Sequence, residues 1–269
     1  MLDREILAHY ERGLERKRLA TEATLELVRT QELLHRYLPA PPASVLDVGG
    51  GPGVYAVWLA RKGFTVRLVD PVPLHVLQAE ALSAAQPDQP FTAALGDARR
   101  LDEPDASYDA VLLLGPLYHL PERAERLVAL AEAKRVVRAG GRVVAAAISR
   151  FASLLDGLRN GWLADPVFRR MAEQDLRTGQ HRNPEPDRRP EWFTTAYLHR
   201  PEELAEEIHA AGLTLDALLG IEGPGWLLPE RWDLPAHKAS VLDIASALER
   251  EPSLLGMSAH LMAVARRAV

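Results

Sequence analysis

Apolar positions change their period several times along the chain. Up to Tyr37 they recur at roughly helical spacing among charges (Leu7, Leu14, Leu25, Val28, Leu33, Leu34), which predicts two helices over 3–37. Pro39, Pro41 and Pro42 close that region. From Ser44 onward short apolar runs alternate with helical patterns. Strands are predicted at about 44–48, 65–69, 90–94, 108–114 and 142–148, with helices at about 53–62, 73–85 and 121–138. Gly140-Gly141 after Lys134-Arg135-Val136-Val137 reads as a helix stop followed by a turn. Such alternation builds an α/β fold, a doubly wound parallel sheet.

The alternation breaks after Arg150. Residues 151–180 read as helical and crowded with charge, with Trp162 and Phe168 as apolar anchors. Residues 181–190 are polar and proline-rich and predict a loop. The pattern resumes with a helix from Pro201 to Ala211, a stop at Gly212 and a strand at 213–219. A second insertion, 222–256, contains a helix near 237–250, and 258–266 reads as the last strand. No internal repeat is visible.

Composition narrows the class of protein. A chain of 269 residues accommodates one α/β domain with additions. Its net charge of −5, with both signs interspersed, argues against a nucleic-acid partner. No apolar run approaches the ~20 residues of a membrane span, and the first residues lack a signal-peptide pattern. There is no cysteine, which excludes disulfides and thiol chemistry. The expectation is a cytoplasmic protein, monomeric or homodimeric, with a small-molecule partner and no membrane.

The chemistry concentrates at 44–53, Ser-Val-Leu-Asp-Val-Gly-Gly-Gly-Pro-Gly. A strand carrying Asp47 breaks into a turn with Gly49, Gly51 and Gly53 at alternate positions, and a helical pattern follows. Such a turn brings bare backbone against a ligand at a helix N-terminus. The dinucleotide pattern Gly-x-Gly-x-x-Gly would need glycine where Val54 stands. A phosphate-binding P-loop would need a Lys-Ser/Thr pair, which is absent. Asp70, ending the second predicted strand, suits a bidentate acceptor for two ribose hydroxyls; a helix N-cap is the competing account.

The Asp-x-Gly-x-Gly-x-Gly spacing resembles motif I of the class I S-adenosylmethionine-dependent methyltransferases. The resemblance covers 44–148 strongly and 191–266 in outline. It implies a Rossmann-like, seven-stranded sheet whose last strand lies antiparallel beside the fifth. It also implies S-adenosyl-L-methionine as cofactor and S-adenosyl-L-homocysteine as product. Asp47, Gly49, Gly51 and Gly53 would form the cofactor turn, and Asp70 with Pro71 would hold the ribose. Asp97 would accept from the adenine amino group and Ala98 meet its ring, while Leu114 and Gly115 would lie beside the methyl donor. Arg29-Thr30, the 115–120 block Gly-Pro-Leu-Tyr-His-Leu and Glu222-Gly-Pro-Gly-Trp226 are similar to a bacterial small-molecule subgroup. An N-terminal helical cap (1–43) would precede a methyltransferase domain (44–269). That cap and the insertions at 151–190 and 222–256 would form a lid above the carboxyl edge of the sheet.

Methyl transfer from a sulfonium needs alignment and exclusion of water, and a base only when the acceptor holds its proton tightly. His119 is the candidate base and Tyr118 a ring wall or hydroxyl donor; packing is the competing role for each. Tyr10, Arg29, Trp162, Tyr197 and His199 are candidate substrate contacts, and Trp192 a further pocket ring. No cluster has convincing metal spacing, so no metal is expected. Leu114-Gly-Pro-Leu-Tyr118 lacks the polar residue and second proline of base-methylating enzymes. Transfer to an O or N atom of a small molecule is expected. A non-catalytic cofactor-binding sensor and an aminopropyl transferase are the rival readings.

Overall fold

The computed structural model describes residues 4–13 and 24–269. Leu14 of the first helical pattern lies outside them. In chain order the elements begin with α1 (Arg4–Glu11), α2 (Thr24–Tyr37), β1 (Ser44–Val48), α3 (Val54–Arg61), β2 (Thr65–Asp70), α4 (Pro73–Ala84) and β3 (Thr92–Leu95). β4 (Tyr108–Leu113), α5 (Arg123–Val136), β5 (Val137–Ser149), α6 (Ala152–Arg159), α7 (Pro166–Thr178), β6 (Gln180–His181) and β7 (Ala196–His199) follow. The chain continues through α8 (Pro201–Ala210), β8 (Thr214–Gly220), α9 (Pro229–Trp232), α10 (Pro235–Leu248) and β9 (His260–Arg266).

The main sheet runs β3-β2-β1-β4-β5, then β9 and β8. Its first five strands are parallel, and β9 pairs antiparallel with both β5 and β8. The central strands are buried on both faces, which explains why they read as near-continuous apolar runs. One face packs on α5 and α8 through Leu130, Ala133, Leu204 and Ile208. The other packs on α2, α3 and α4 through Leu33, Leu34, Leu59 and Ala79. This is the doubly wound α/β sheet that the alternation predicts, in the Rossmann-like form that the resemblance implies.

Two departures matter. β5 begins at Val137, five residues before the predicted strand, because Gly140 and Gly141 form an irregularity inside the ladder rather than a turn before it. The insertion after β5 also contributes a two-strand ribbon, β6–β7. β4 pairs with β5 only as far as Leu113, opposite Ala145. Beyond that point β7 pairs with β5 at Ile148 and Ser149. The ribbon therefore extends the sheet at its carboxyl edge, above the end of β4, where ligands bind in open α/β sheets.

α1 and α2 are tied to the rest by polar bonds. Glu5 accepts from Thr195 Oγ1 at 2.7 Å, and Arg12 donates to the 181–190 loop at the Pro186 carbonyl and Asp187. α2 is pinned by Arg29, whose guanidinium is fully buried.

Candidate functional site

The turn after β1 is built around a buried carboxylate. Asp47 is fully buried, and neither of its oxygens has a hydrogen-bond partner among the described residues. A side chain at Gly50 would strike this carboxylate at 2.5 Å, so only glycine lets the turn pass over it. Burial, with the Asp70 charge adding to it, pushes the Asp47 pKa up to about 7. Asp47, Gly49 and Gly51 line a narrow recess with Leu114, Gly115 and Tyr118.

The recess continues on the other side of the turn. There Gly49, Gly51, Asp70, Pro71, Asp97 and Ala98 form the walls with Gly115, Tyr118 and His119. Asp70 holds the turn in shape. It accepts from the Gly51 N–H at 2.9 Å, from the Val72 N–H at 2.9 Å, and pairs with His75 Nδ1 at 3.1 Å. Asp97 takes a fork of bonds from Arg99, which holds its carboxyl below the usual range. Arg99 is a groove residue that the sequence pattern did not single out; it differs from any exposed arginine only by standing two residues after Asp97.

Beside this groove opens a cavity of about 680 Å³. Four of the chain's five tryptophans, Trp162, Trp192, Trp226 and Trp232, line it. Phe168, Met171 and Phe193 add apolar wall, and Asp156, Glu222 and His260 add polar points. Tyr118 lines the cavity and both parts of the groove, and Tyr10 lines the cavity and the Asp70 side. The two tyrosines mark the passage between groove and cavity.

Several expected site residues lie elsewhere. Gly53 lines neither part of the groove; its missing side chain lets the start of α3 pack on Phe91 and Ala79, 3.2 and 3.3 Å away. Arg29 is a structural staple: it donates to the Ile221 carbonyl at 3.0 Å and pairs with Glu32 and Glu249 at 2.6 Å each. Tyr197 and His199 are corrected for a reason of period. On β7, Leu198 faces the cavity, so the alternate residues face away from it. Arg126 lies 3.7 Å over the Tyr197 ring, and His199 meets Glu207 at 3.2 Å.

His119 is also relocated. It belongs to the Asp70 side of the groove and does not line the large cavity. Its Nε2 meets the Tyr10 hydroxyl at 2.5 Å, and its Nδ1 faces the Thr195 carbonyl at 3.4 Å. That geometry pairs it with Tyr10 at the edge of the groove.

The recess around Asp47 suits a ligand with a compact positive end and a flat body. The carboxylate there lacks a partner among the described residues, the turn is rich in glycine, and two further carboxylates stand beyond it. Residues 45–141 match the methyltransferase domain family. With the fold, this makes that stretch similar to the methyltransferase domains that use S-adenosylmethionine as cofactor. A ubiquinone biosynthesis O-methyltransferase of Paracidovorax citrulli is 38% identical over 114 residues, 42% of this chain and 46% of that one. An S-adenosyl-L-methionine-dependent Diels-Alderase of Talaromyces variabilis is 35% identical over 128 residues, 46% of this chain and 43% of that one. The chain thus spans less than half the length of either relative. Among solved structures, a Methanosarcina mazei S-adenosylmethionine-dependent methyltransferase superposes with a TM-score of 0.59 at 16% identity, covering 88% of this chain and 97% of that one. At that identity the likeness concerns the fold. No helix among the described residues is long and apolar enough to cross a membrane.

Proposed function

We propose that this chain is a methyltransferase that moves the methyl group of S-adenosylmethionine to an O or N atom of a small molecule with a large apolar body. The observation that carries the proposal is the join between groove and cavity. A tryptophan-lined space of about 680 Å³ meets a glycine-walled groove at Tyr118, a residue common to both. The cofactor supplies an electrophilic methyl group on a sulfonium. Asp47 would face its methionine end, Asp70 its ribose and Asp97 its adenine, the last with Ala98 beside it. Leu114 and Gly115 would lie beside the reacting centre. Tyr10, Tyr118, Trp162 and Trp192 would hold the acceptor's apolar body and keep water out. α1, the 151–190 insertion and the 222–256 insertion would together form the cap over that acceptor.

The test is a screen of small apolar metabolites with methyl-labelled cofactor, reading both labelled product and S-adenosylhomocysteine. Transfer to a compound that protects the cavity tryptophans from quenching supports the proposal. A second reading is favoured by the Diels-Alderase match, which falls on a comparable share of this chain. On that reading the cofactor is held and not consumed. Tight cofactor binding with conversion of an acceptor but no S-adenosylhomocysteine would decide for it.

A further inference from the structure

Where groove and cavity meet, a second histidine stands in a setting unlike that of His119. β9 runs antiparallel to β5, so its first residue, His260, lies at the carboxyl edge of the parallel strands, opposite Ile148. His260 lines both the cavity and the Asp47 side of the groove. About a fifth of its side chain is exposed. Its Nδ1 is 2.5 Å from Glu222 Oε1.

Glu222 is held on every side. It is buried, and its Oε2 accepts from Ser258 Oγ at 2.7 Å and from the His260 backbone N–H at 3.0 Å. Ser258 Oγ in turn accepts from the backbone N–H groups of Glu222 and Gly223, at 2.9 and 3.2 Å. A carboxylate fixed in this way takes an N–H from Nδ1 and sets the ring's tautomer. The basic lone pair is then on Nε2. A carboxylate, an imidazole and an acceptor in line is the arrangement by which a buried acid orients a base and stabilises its charged form.

We infer that His260 is the general base of the transfer reaction, that Glu222 is its positioning residue, and that the acceptor is a hydroxyl. The inference rests on the methyltransferase reading above and assigns a residue to its proton. In the step, the acceptor oxygen bonds to the methyl carbon as the carbon–sulfur pair returns to sulfur. The hydroxyl proton passes to Nε2, and the imidazolium later returns it to solvent. An alcohol or phenol holds its proton tightly enough to need such help, whereas a neutral amine can attack with its own lone pair. Among the described residues, Glu222 and, from α2, Glu26 at 4.0 Å from Nδ1 stand beside the ring. Tyr118, and Asp156 and Arg159 from α6, line the same cavity.

The test uses the full chain and has two arms. With S-adenosylhomocysteine bound, nitrogen NMR of labelled histidine is expected to show the neutral His260 ring carrying its proton on Nδ1. Glu222→Gln is expected to lose that tautomer. A proton on Nε2, or an imidazolium across pH 6–9, overturns the assignment. In the second arm, matched hydroxy- and amino-arenes such as 5-hydroxyindole and 5-aminoindole are offered with methyl-labelled cofactor. Transfer to the hydroxyl member is expected. His260→Asn should lower kcat at least 100-fold with cofactor affinity within twofold. Glu222→Gln should lower kcat about tenfold and shift the pH profile, and Glu222→Asp should recover part of the loss. His260→Asn within threefold of wild type overturns the inference, as does chelator-sensitive activity restored by Mg²⁺, which would make Glu26, Glu222 and His260 metal ligands. A wild type that consumes no cofactor with any pair overturns the transfer reading itself, and the tautomer still decides which nitrogen can take a proton.

Discussion

Two of the molecule's buried carboxylates, in two separate regions, are held in opposite ways. Below β7, Glu207 meets Arg126 at 2.7 Å and His199 at 3.2 Å, and Arg126 also donates to two carbonyls. Burial works against its ionisation, but the hydrogen bonds from His199 and Arg126 outweigh that and hold its pKa below the usual range. Burial likewise keeps His199 neutral by lowering its pKa, against the pull of Glu207. In the turn after β1, Asp47 is buried without a partner among the described residues, and its pKa is about 7. A satisfied buried charge locks elements together. An unsatisfied one is a cost that a ligand of opposite sign can relieve.

The signs of the two regions differ with pH. Glu207 and His199 have depressed values, so what they contribute is present at neutral pH and fades as pH falls. Asp47 has a raised value. The folded state therefore loses stability relative to the unfolded one as pH climbs from about 4, the free carboxylate range, to about 7.

The largest expected effect breaks the satisfied region. Arg126→Met strands Glu207 in the interior and should cost roughly 3–5 kcal/mol in denaturant unfolding at pH 7. A loss below about 1 kcal/mol would show that the cluster is not a lock. Next, Asp47→Asn should do the reverse in the ligand-free protein: a gain of about 2–4 kcal/mol at pH 8, shrinking towards zero near pH 4. The same variant should bind S-adenosylhomocysteine at least ten times more weakly. Asp70→Ala should weaken that binding by about 1.5–3 kcal/mol in calorimetry, and unchanged affinity would remove it from the ribose site. The smallest effect sharpens the contrast at the surface. Arg12 and Asp187 pair at 2.8 Å with the aspartate almost fully exposed, so Arg12→Ala should change stability by less than about 0.5 kcal/mol.

How far the chain could be read from its residues follows the same division. Over 44–148 local signals suffice: a buried parallel strand must be apolar on both faces, and the cofactor turn needs glycine at fixed places. Asp47, Asp70 and Asp97 were therefore visible with their spacing. The orphaned state of Asp47 was not, because it depends on what the fold withholds from it. Arg29 looks in sequence like any helical arginine; only the return of the chain at Ile221 and Glu249 makes it a staple. His260 and Glu222 lie 38 positions apart and are joined by the pairing of the chain around β9. Tyr197 and His199 were misplaced because four residues of strand, too few to show a period, decide which face they take.

The central claim is that Asp47, without a partner among the described residues, is kept for the positive end of the cofactor. Titration calorimetry of S-adenosylhomocysteine binding, repeated in buffers of different ionisation enthalpy, counts the protons exchanged. At pH 6, where the Asp47 carboxyl is mostly protonated and the ligand's ammonium already charged, binding should release close to one proton. Affinity should rise with pH up to about 7, and Asp47→Asn should abolish both effects. Binding without proton release at pH 6, or an Asp47→Asn variant that binds as tightly as wild type, would contradict the account.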